Sequence, residues 1–294
     1  MSERPFDDIL ALLADAPGPD QAAENAARSG IGAGLGRLSD LAAWTATWSG
    51  RATPQVNRPI LALYAGSHGA VTSHGGAERE RLEAVAAGGA SVSRLAAGQG
   101  AGLDVFDLAV DRPTPDIARL PAMSEREAAA TIAFGMEVMA KQPDLLIVGS
   151  IGAGAAVSAE AVAILLGRRD PAAADPRARA AAARVSEVVE PLEILRQLGG
   201  RETAAAIGAI LAARVQRTPV LLDGPAALSA AAILDALSPG AVGHCRAADA
   251  DAFGLSAVLD APPVLDVAIA DGEGAAGVLA LGLVRAACSL VGAP

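Results

Sequence analysis

Glu273 is the carboxylate best placed for chemistry. It sits between two glycines in Asp271-Gly272-Glu273-Gly274, directly after one apolar run and directly before another. In that setting a carboxylate is either an acid that stabilises a helix N-terminus or a general base exposed in a cleft. Three other apolar runs also end in small or polar residues. They lead into Ala65-Gly66-Ser67-His68-Gly69, into Gly149-Ser150-Ile151-Gly152-Ala153-Gly154, and into Asp223-Gly224-Pro225. Glycines at such ends let the backbone approach a ligand, and the free amides of a following helix attract an anion. Each segment also has a purely structural reading, because small-residue turns after buried strands are common in α/β proteins. His68 is either an acid–base group or a hydrogen-bonded core histidine, and Asp223 could simply bind turn amides. His74 and His244 fall in loops with no pattern around them.

Several chemistries are excluded. Lys141 is the only lysine, so Schiff-base or P-loop chemistry would have to use it. Neither GxxxxGK[ST] nor GxSxG occurs. Gly149, Gly152 and Gly154 are out of register for GxGxxG, and no acidic residue follows at the proper place, which argues against a dinucleotide site. A net charge of −10 with no Lys/Arg cluster argues against nucleic acid. Two cysteines and three scattered histidines suit neither a disulfide framework nor a metal site. The first residues lack the order of a signal peptide. No uninterrupted apolar run reaches the ~18–20 residues of a membrane span. The expectation is a cytoplasmic protein with no cofactor, no metal and no membrane or nucleic-acid partner.

The elements that must hold these residues follow from apolar spacing. Strands are predicted near 60–65, 103–110, 144–149, 219–222 and 264–270, each an apolar run of the kind buried in a parallel sheet. Helical spacing marks 7–29 with a Pro-Gly-Pro break, 37–48, 124–139 opened by the capping box Ser124…Glu127, a stretch to about 166, 187–198, 201–215, 226–237 and a last helix to about 291. Residues 167–183 are rich in Arg, Ala, Asp and Pro and are predicted as a polar loop or a poorly ordered segment. Alternating strands and helices imply a three-layer α/β fold. Its sheet is mostly parallel, with helices on both faces, and residues 1–294 form one domain. Residues 1–50 are expected to pack with the C-terminal helix as a small helical subdomain. Turns after at least three strands should line one cleft.

Several segments in order resemble the nicotinate-nucleotide–dimethylbenzimidazole phosphoribosyltransferase family. They are Thr218-Pro-Val-Leu-Leu-Asp-Gly224 before an Ala-rich helix, Ile194-Leu-Arg-Gln-Leu-Gly-Gly200, and Asp271-Gly-Glu-Gly-Ala-Ala-Gly277. Leu35-Gly-Arg-Leu38, Thr53-Pro-Gln55 and Ser67-His-Gly69 add to the likeness, which covers most of the chain and is densest over 187–291. The resemblance implies phosphoribosyl transfer from nicotinate mononucleotide to a benzimidazole nitrogen in cobalamin biosynthesis, giving α-ribazole phosphate and nicotinate. It also implies that Glu273 is the base and that the protein is a homodimer. The substrate-binding residues would be Ser67, His68, Gly149, Ser150, Gly152, Gly154, Asp223, Gly224, Gly272 and Gly274.

The departures fall on the nucleotide cradle. Ser150 stands where the family has Glu, and the family's Asn-Thr-Thr is absent from Gly154-Ala-Ala-Val-Ser158. The chain is also shorter around 167–185, and it diverges over 71–80, where the family shapes the base pocket. Three readings therefore stand. One is an active transferase; the second is a non-catalytic homologue that binds a nucleotide or azole in a regulatory or accessory role; the third is a different nucleotide-binding α/β enzyme, against which the missing dinucleotide fingerprint counts. The helical face Leu38, Leu41, Trp44, Trp48 carries both tryptophans and is either a dimer anchor or internal packing.

Overall fold

A computed structural model describes residues 6–71, 76–269 and 272–292. Its centre is a five-stranded, all-parallel sheet in the order β2-β1-β3-β4-β5. The strands are β1 (Pro59–Ala65), β2 (Gly102–Asp107), β3 (Leu145–Ile151), β4 (Val220–Leu222) and β5 (Cys245–Ala247). The residues of β3 are buried throughout, and β1 nearly so, as continuous apolar runs must be when both sheet faces are covered.

Strand alternation divides the core into two layers. Ala62, Tyr64, Leu146, Val148, Val220 and Leu222 face one side. Packed there are α6 (Glu125–Gly135), α7 (Ala155–Leu165), α8 (Pro176–Arg184), α9 (Pro191–Leu198), α10 (Arg201–Val215) and α11 (Pro225–Leu237). Leu61, Leu63, Leu145, Ile147 and Leu221 face the other side. Their cover is α2 (Gln21–Gly30), α3 (Arg37–Ser49), α4 (Gly76–Ala86), α5 (Ser91–Gly98) and α12 (Ala275–Ser289). Local chemistry sets several helix starts. Ser124 Oγ accepts the Glu127 amide at 3.2 Å, as the capping box requires. Proline opens α8, α9 and α11, where its missing N–H costs nothing.

The N-terminal helices divide between the layers. α3 packs on α12, and the Gly292 amide donates to Gly30 O at 3.0 Å, whereas α1 (Asp7–Ala14) lies against α10 with Ile9 in the opposite core. Trp44 and Trp48 are 3% and 7% exposed, beneath the guanidinium groups of Arg246 and Arg214. The aromatic face is thus consumed inside the chain.

Three expectations are corrected. Residues 264–269 form no strand, and Ala270 lies outside the described residues. Val264 and Leu265 donate to the Ala247 and Ala248 carbonyls, after which the Asp249 carboxylate takes the amides of Val267 and Ile269. The chain turns there, with Ala268 at φ +56°, and the fifth strand is Cys245–Ala247 instead. Residues 167–183 are not simply loop: Asp175 accepts the Arg177 amide and starts α8. β2 ends at Asp107 rather than 110, because Ala109 turns to φ +60°. Among the described residues, no helix is long and apolar enough to cross a membrane.

Candidate active site

The carboxyl ends of β3 and β4, with the segment after β5, open onto a cleft of two adjoining lobes that share Ala156 and Pro225. The first lobe, about 380 Å³, is walled by Glu78, Arg81, Ser150, the Gly152–Ala156 loop and Glu273. The second, about 510 Å³, is more apolar, with Leu228, Phe253 and Ile269 beside Asp223, Gly224, Asp249 and Asp251.

Backbone fit places Glu273. Gly272 and Gly274 have φ +67° and +95°, a region L side chains rarely enter. The turn they make lies directly on the strand ends. The Ser150 amide donates to Gly272 O at 2.9 Å, and a Cβ on Gly149 would stand 2.9 Å from the Gly274 nitrogen. On the other side, a Cβ on Gly224 would meet Gly272 Cα at 2.4 Å. Gly149 and Gly224 thus let backbone approach backbone. Asp223 locks the arrangement from below: its Oδ2 accepts the Gly277 amide at 2.7 Å, in the first turn of α12. Glu273 Oε2 accepts from Arg81 Nε at 2.6 Å and from a second Arg81 nitrogen.

The opposite wall is the start of α7. Its N-cap, Gly154, offers no side chain, and Ala155 and Ala156 face the first lobe. An uncapped helix start of this kind presents amides and the positive dipole end to an anion.

Beneath that loop lies a buried ion pair. His68 Nε2 bonds to Glu202 Oε1, and each residue is 1% exposed. Burial alone would lower the His68 pKa, but the charge and hydrogen bond of Glu202 raise it above the usual value. Burial likewise opposes ionisation of Glu202, but His68 holds its carboxyl below the usual range. A Cβ on Gly154 would stand 2.8 Å from His68 Cβ, so the imidazole supports the loop directly. Ser67 Oγ donates to Val110 O at 2.7 Å.

Of the residues proposed from sequence, Glu273, Ser150, Gly152 and Gly154 line the first lobe, and Asp223 and Gly224 the second. Gly149, Gly272 and Gly274 shape the floor, while Ser67 and His68 lie under it. Asp271 and His74 are outside the described residues. Sequence reasoning missed Glu78, Arg81, Glu202 and Asp249. Charged residues inside helices read as solvated faces, and Glu202 reads as a first-turn acid after Gly199-Gly200. Asp249 accepts the amides of Ala250, Val267 and Ile269; burial opposes its ionisation, but these bonds hold its carboxyl below the usual range. Among the described residues, no group of three His, Cys, Asp or Glu is placed to hold a metal ion.

A family model described as Phosphoribosyltransferase matches residues 18–293. Nicotinate-nucleotide–dimethylbenzimidazole phosphoribosyltransferase of Agrobacterium fabrum is 44% identical, across 98% of this chain and 93% of the relative. The enzyme of the same name from Brucella melitensis biotype 1 is 40% identical, across 96% and 93%. A crystal structure of the enzyme from Thermus thermophilus superposes with a TM-score of 0.84 at 26% identity, over 92% of this chain and 96% of that one. The chain belongs to the nicotinate-nucleotide–dimethylbenzimidazole phosphoribosyltransferase family.

Proposed function

We propose that this protein transfers phosphoribose from nicotinate mononucleotide to a nitrogen of dimethylbenzimidazole or a related azole, releasing nicotinate and α-ribazole phosphate. The observation that carries the reading is the Glu273 carboxylate, fixed by two glycine turns opposite the uncapped start of α7 in one lobe. The amides of that helix start, with Arg81, receive the phosphate. As the glycosidic C–N bond breaks, its electron pair returns to the pyridinium nitrogen and nicotinate leaves neutral at that atom, so its departure needs no general acid. The azole nitrogen forms the new bond to the ribose carbon, and its N–H proton passes to Glu273. Arg81 must release the carboxylate for this step, and the arriving phosphate is the competing anion that draws it away.

The non-catalytic reading rests on Ser150 and the missing Asn-Thr-Thr, and nothing in the cleft favours it further. We also propose a homodimer. Support comes from Leu279, Leu283 and Leu290, large apolar side chains left 38–39% exposed on or beside α12; light scattering that returned a one-chain mass at micromolar concentration would reject it. Two buried, unbridged thiols, Cys245 and Cys288, support a cytoplasmic setting.

The test is release of nicotinate from nicotinate mononucleotide with dimethylbenzimidazole as acceptor. Glu273→Gln should lower turnover by about 10²–10⁴-fold while leaving the melting transition in place. A wild type inactive with every azole, or a Glu273→Gln variant as fast as wild type, would overturn the assignment.

A further inference from the structure

The first lobe contains a second carboxylate that the proposed reaction does not use. Glu78 lies on α4, one helical turn before Arg81, and both side chains line the lobe. Glu78 is 3% exposed, and its Oε1 accepts the Ala153 amide at 3.2 Å. Its Oε2 is equally buried and has no hydrogen-bond partner among the described residues. A buried carboxylate oxygen without a donor is costly, and the cost vanishes when a bound molecule supplies one. Neighbouring groups do not fill the need. Arg81 is turned to Glu273, and the next wall residue, Ser150, carries no charge.

We propose that Glu78 is a substrate-binding carboxylate that accepts a hydrogen bond from an O–H or N–H group of a bound substrate, first of all a polar substituent on the acceptor azole. The inference rests on the transferase reading above, which puts the azole in this lobe with its ring N–H on Glu273. The other end of the azole then meets the remaining walls. A methyl group against Oε2 leaves the oxygen unsatisfied, whereas a hydroxyl or amino group satisfies it. A site built around a buried acceptor rejects the analogue that lacks the donor. The same acceptor chemistry is available to a ribose hydroxyl of the nucleotide, so the experiment separates the two sources.

Nicotinate release is measured for wild type, Glu78→Gln and Glu78→Leu with hydroxybenzimidazole and with dimethylbenzimidazole. It is then measured with nicotinate mononucleotide and with its deoxyribose analogue. Ratios of kcat/KM within one protein preparation do not depend on how much of a variant folds. Wild type should prefer hydroxybenzimidazole, and the preference should shrink by about 10–100-fold in Glu78→Leu. If the discrimination against the deoxyribose analogue collapses instead, the donor is the ribose hydroxyl and Glu78 keeps its role. If nicotinate is released but neither ratio moves, the inference is overturned and the transferase reading stands. If no acceptor supports nicotinate release, the transferase reading fails. Calorimetric titration of the two azoles then decides on Glu78: a preference lost in the variants retains it as a ligand acceptor, and an unchanged preference removes it.

Discussion

Two histidines are almost equally buried, yet their pKa values are pushed in opposite directions. His68 follows β1 at the carboxyl edge of the sheet, bonds to Glu202 and holds its proton above the usual pKa. His244 precedes β5 at the other edge, bonds to the Ile210 carbonyl at 3.0 Å beside the Trp48 ring, and is pulled down by burial to about 3. The partner decides the outcome: a carboxylate offsets desolvation of the cation, and a carbonyl does not. The difference maps onto function. Around the cleft the chain buries polar, titratable side chains, namely His68, Glu202, Glu78 and Asp223. Around His244 the nearby charge is a cation, Arg214, which adds to burial in lowering its pKa. Buried ion pairs are weak contributors to stability relative to apolar pairs. Retaining one beneath the Gly152–Gly154 loop fits a positioning role for the α7 start.

The contrast breaks most sharply at Glu202. Glu202→Gln leaves His68 without its counter-ion and should cost about 3–5 kcal/mol in urea denaturation. Replacing both His68 and Glu202 with Leu should recover much of that loss while impairing nicotinate release. A Glu202→Gln cost below about 1 kcal/mol would mean that the pair behaves like a surface bridge. Asp223→Ala comes next. It removes a charged acceptor from the α12 start and should cost about 1.5–3 kcal/mol. It should also reduce turnover, because the turn holding Glu273 loses its anchor; full turnover would separate Asp223 from Glu273. In the pocket before β5, His244→Leu should cost about 0.5–1.5 kcal/mol and leave turnover unchanged.

Sequence legibility divides along the same line. β1 and β3 were readable because each is built on an apolar run, residues 60–65 and 145–148, and is buried at every position of β3 and at all but one of β1. β5 was not, because it has three residues with Arg246 in the middle. Val264–Ile269 carried the apolar composition of a strand, but the chain is bent by Asp249, a residue distant in sequence. α8 was masked by its charge, although Asp175-Pro176 is a helix-start signature. In the site, Glu273 was legible because its glycines are local. Glu78, Arg81 and Glu202 were not, since a charged helix residue shows its burial only once the helix is placed against the sheet.

The pH dependence of stability tests the contrast directly, and there the two histidines should act with opposite sign. His68 binds its proton more tightly in the folded state. Its contribution is complete below the unfolded value of 6.5 and is lost as pH rises through the folded value. His244 binds its proton less tightly when folded. Its contribution is complete above 6.5 and is lost as pH falls toward about 3. Glu202 adds to the acid loss, because its stabilising charge disappears as pH drops below the unfolded value of 4.5. Stability should therefore decline on both sides of a maximum, with each histidine changing the slope by at most about 1.4 kcal/mol per pH unit. Urea midpoints between pH 4 and 9 test this on three proteins (about one transition per unit suffices). His68→Gln should flatten the alkaline arm and leave the arm between 4.5 and 6.5 steep. His244→Leu should flatten that acid arm and leave the alkaline one. If both variants flatten the same arm, the two pockets share one electrostatic character, and the Glu202 carboxylate is not what raises the His68 pKa.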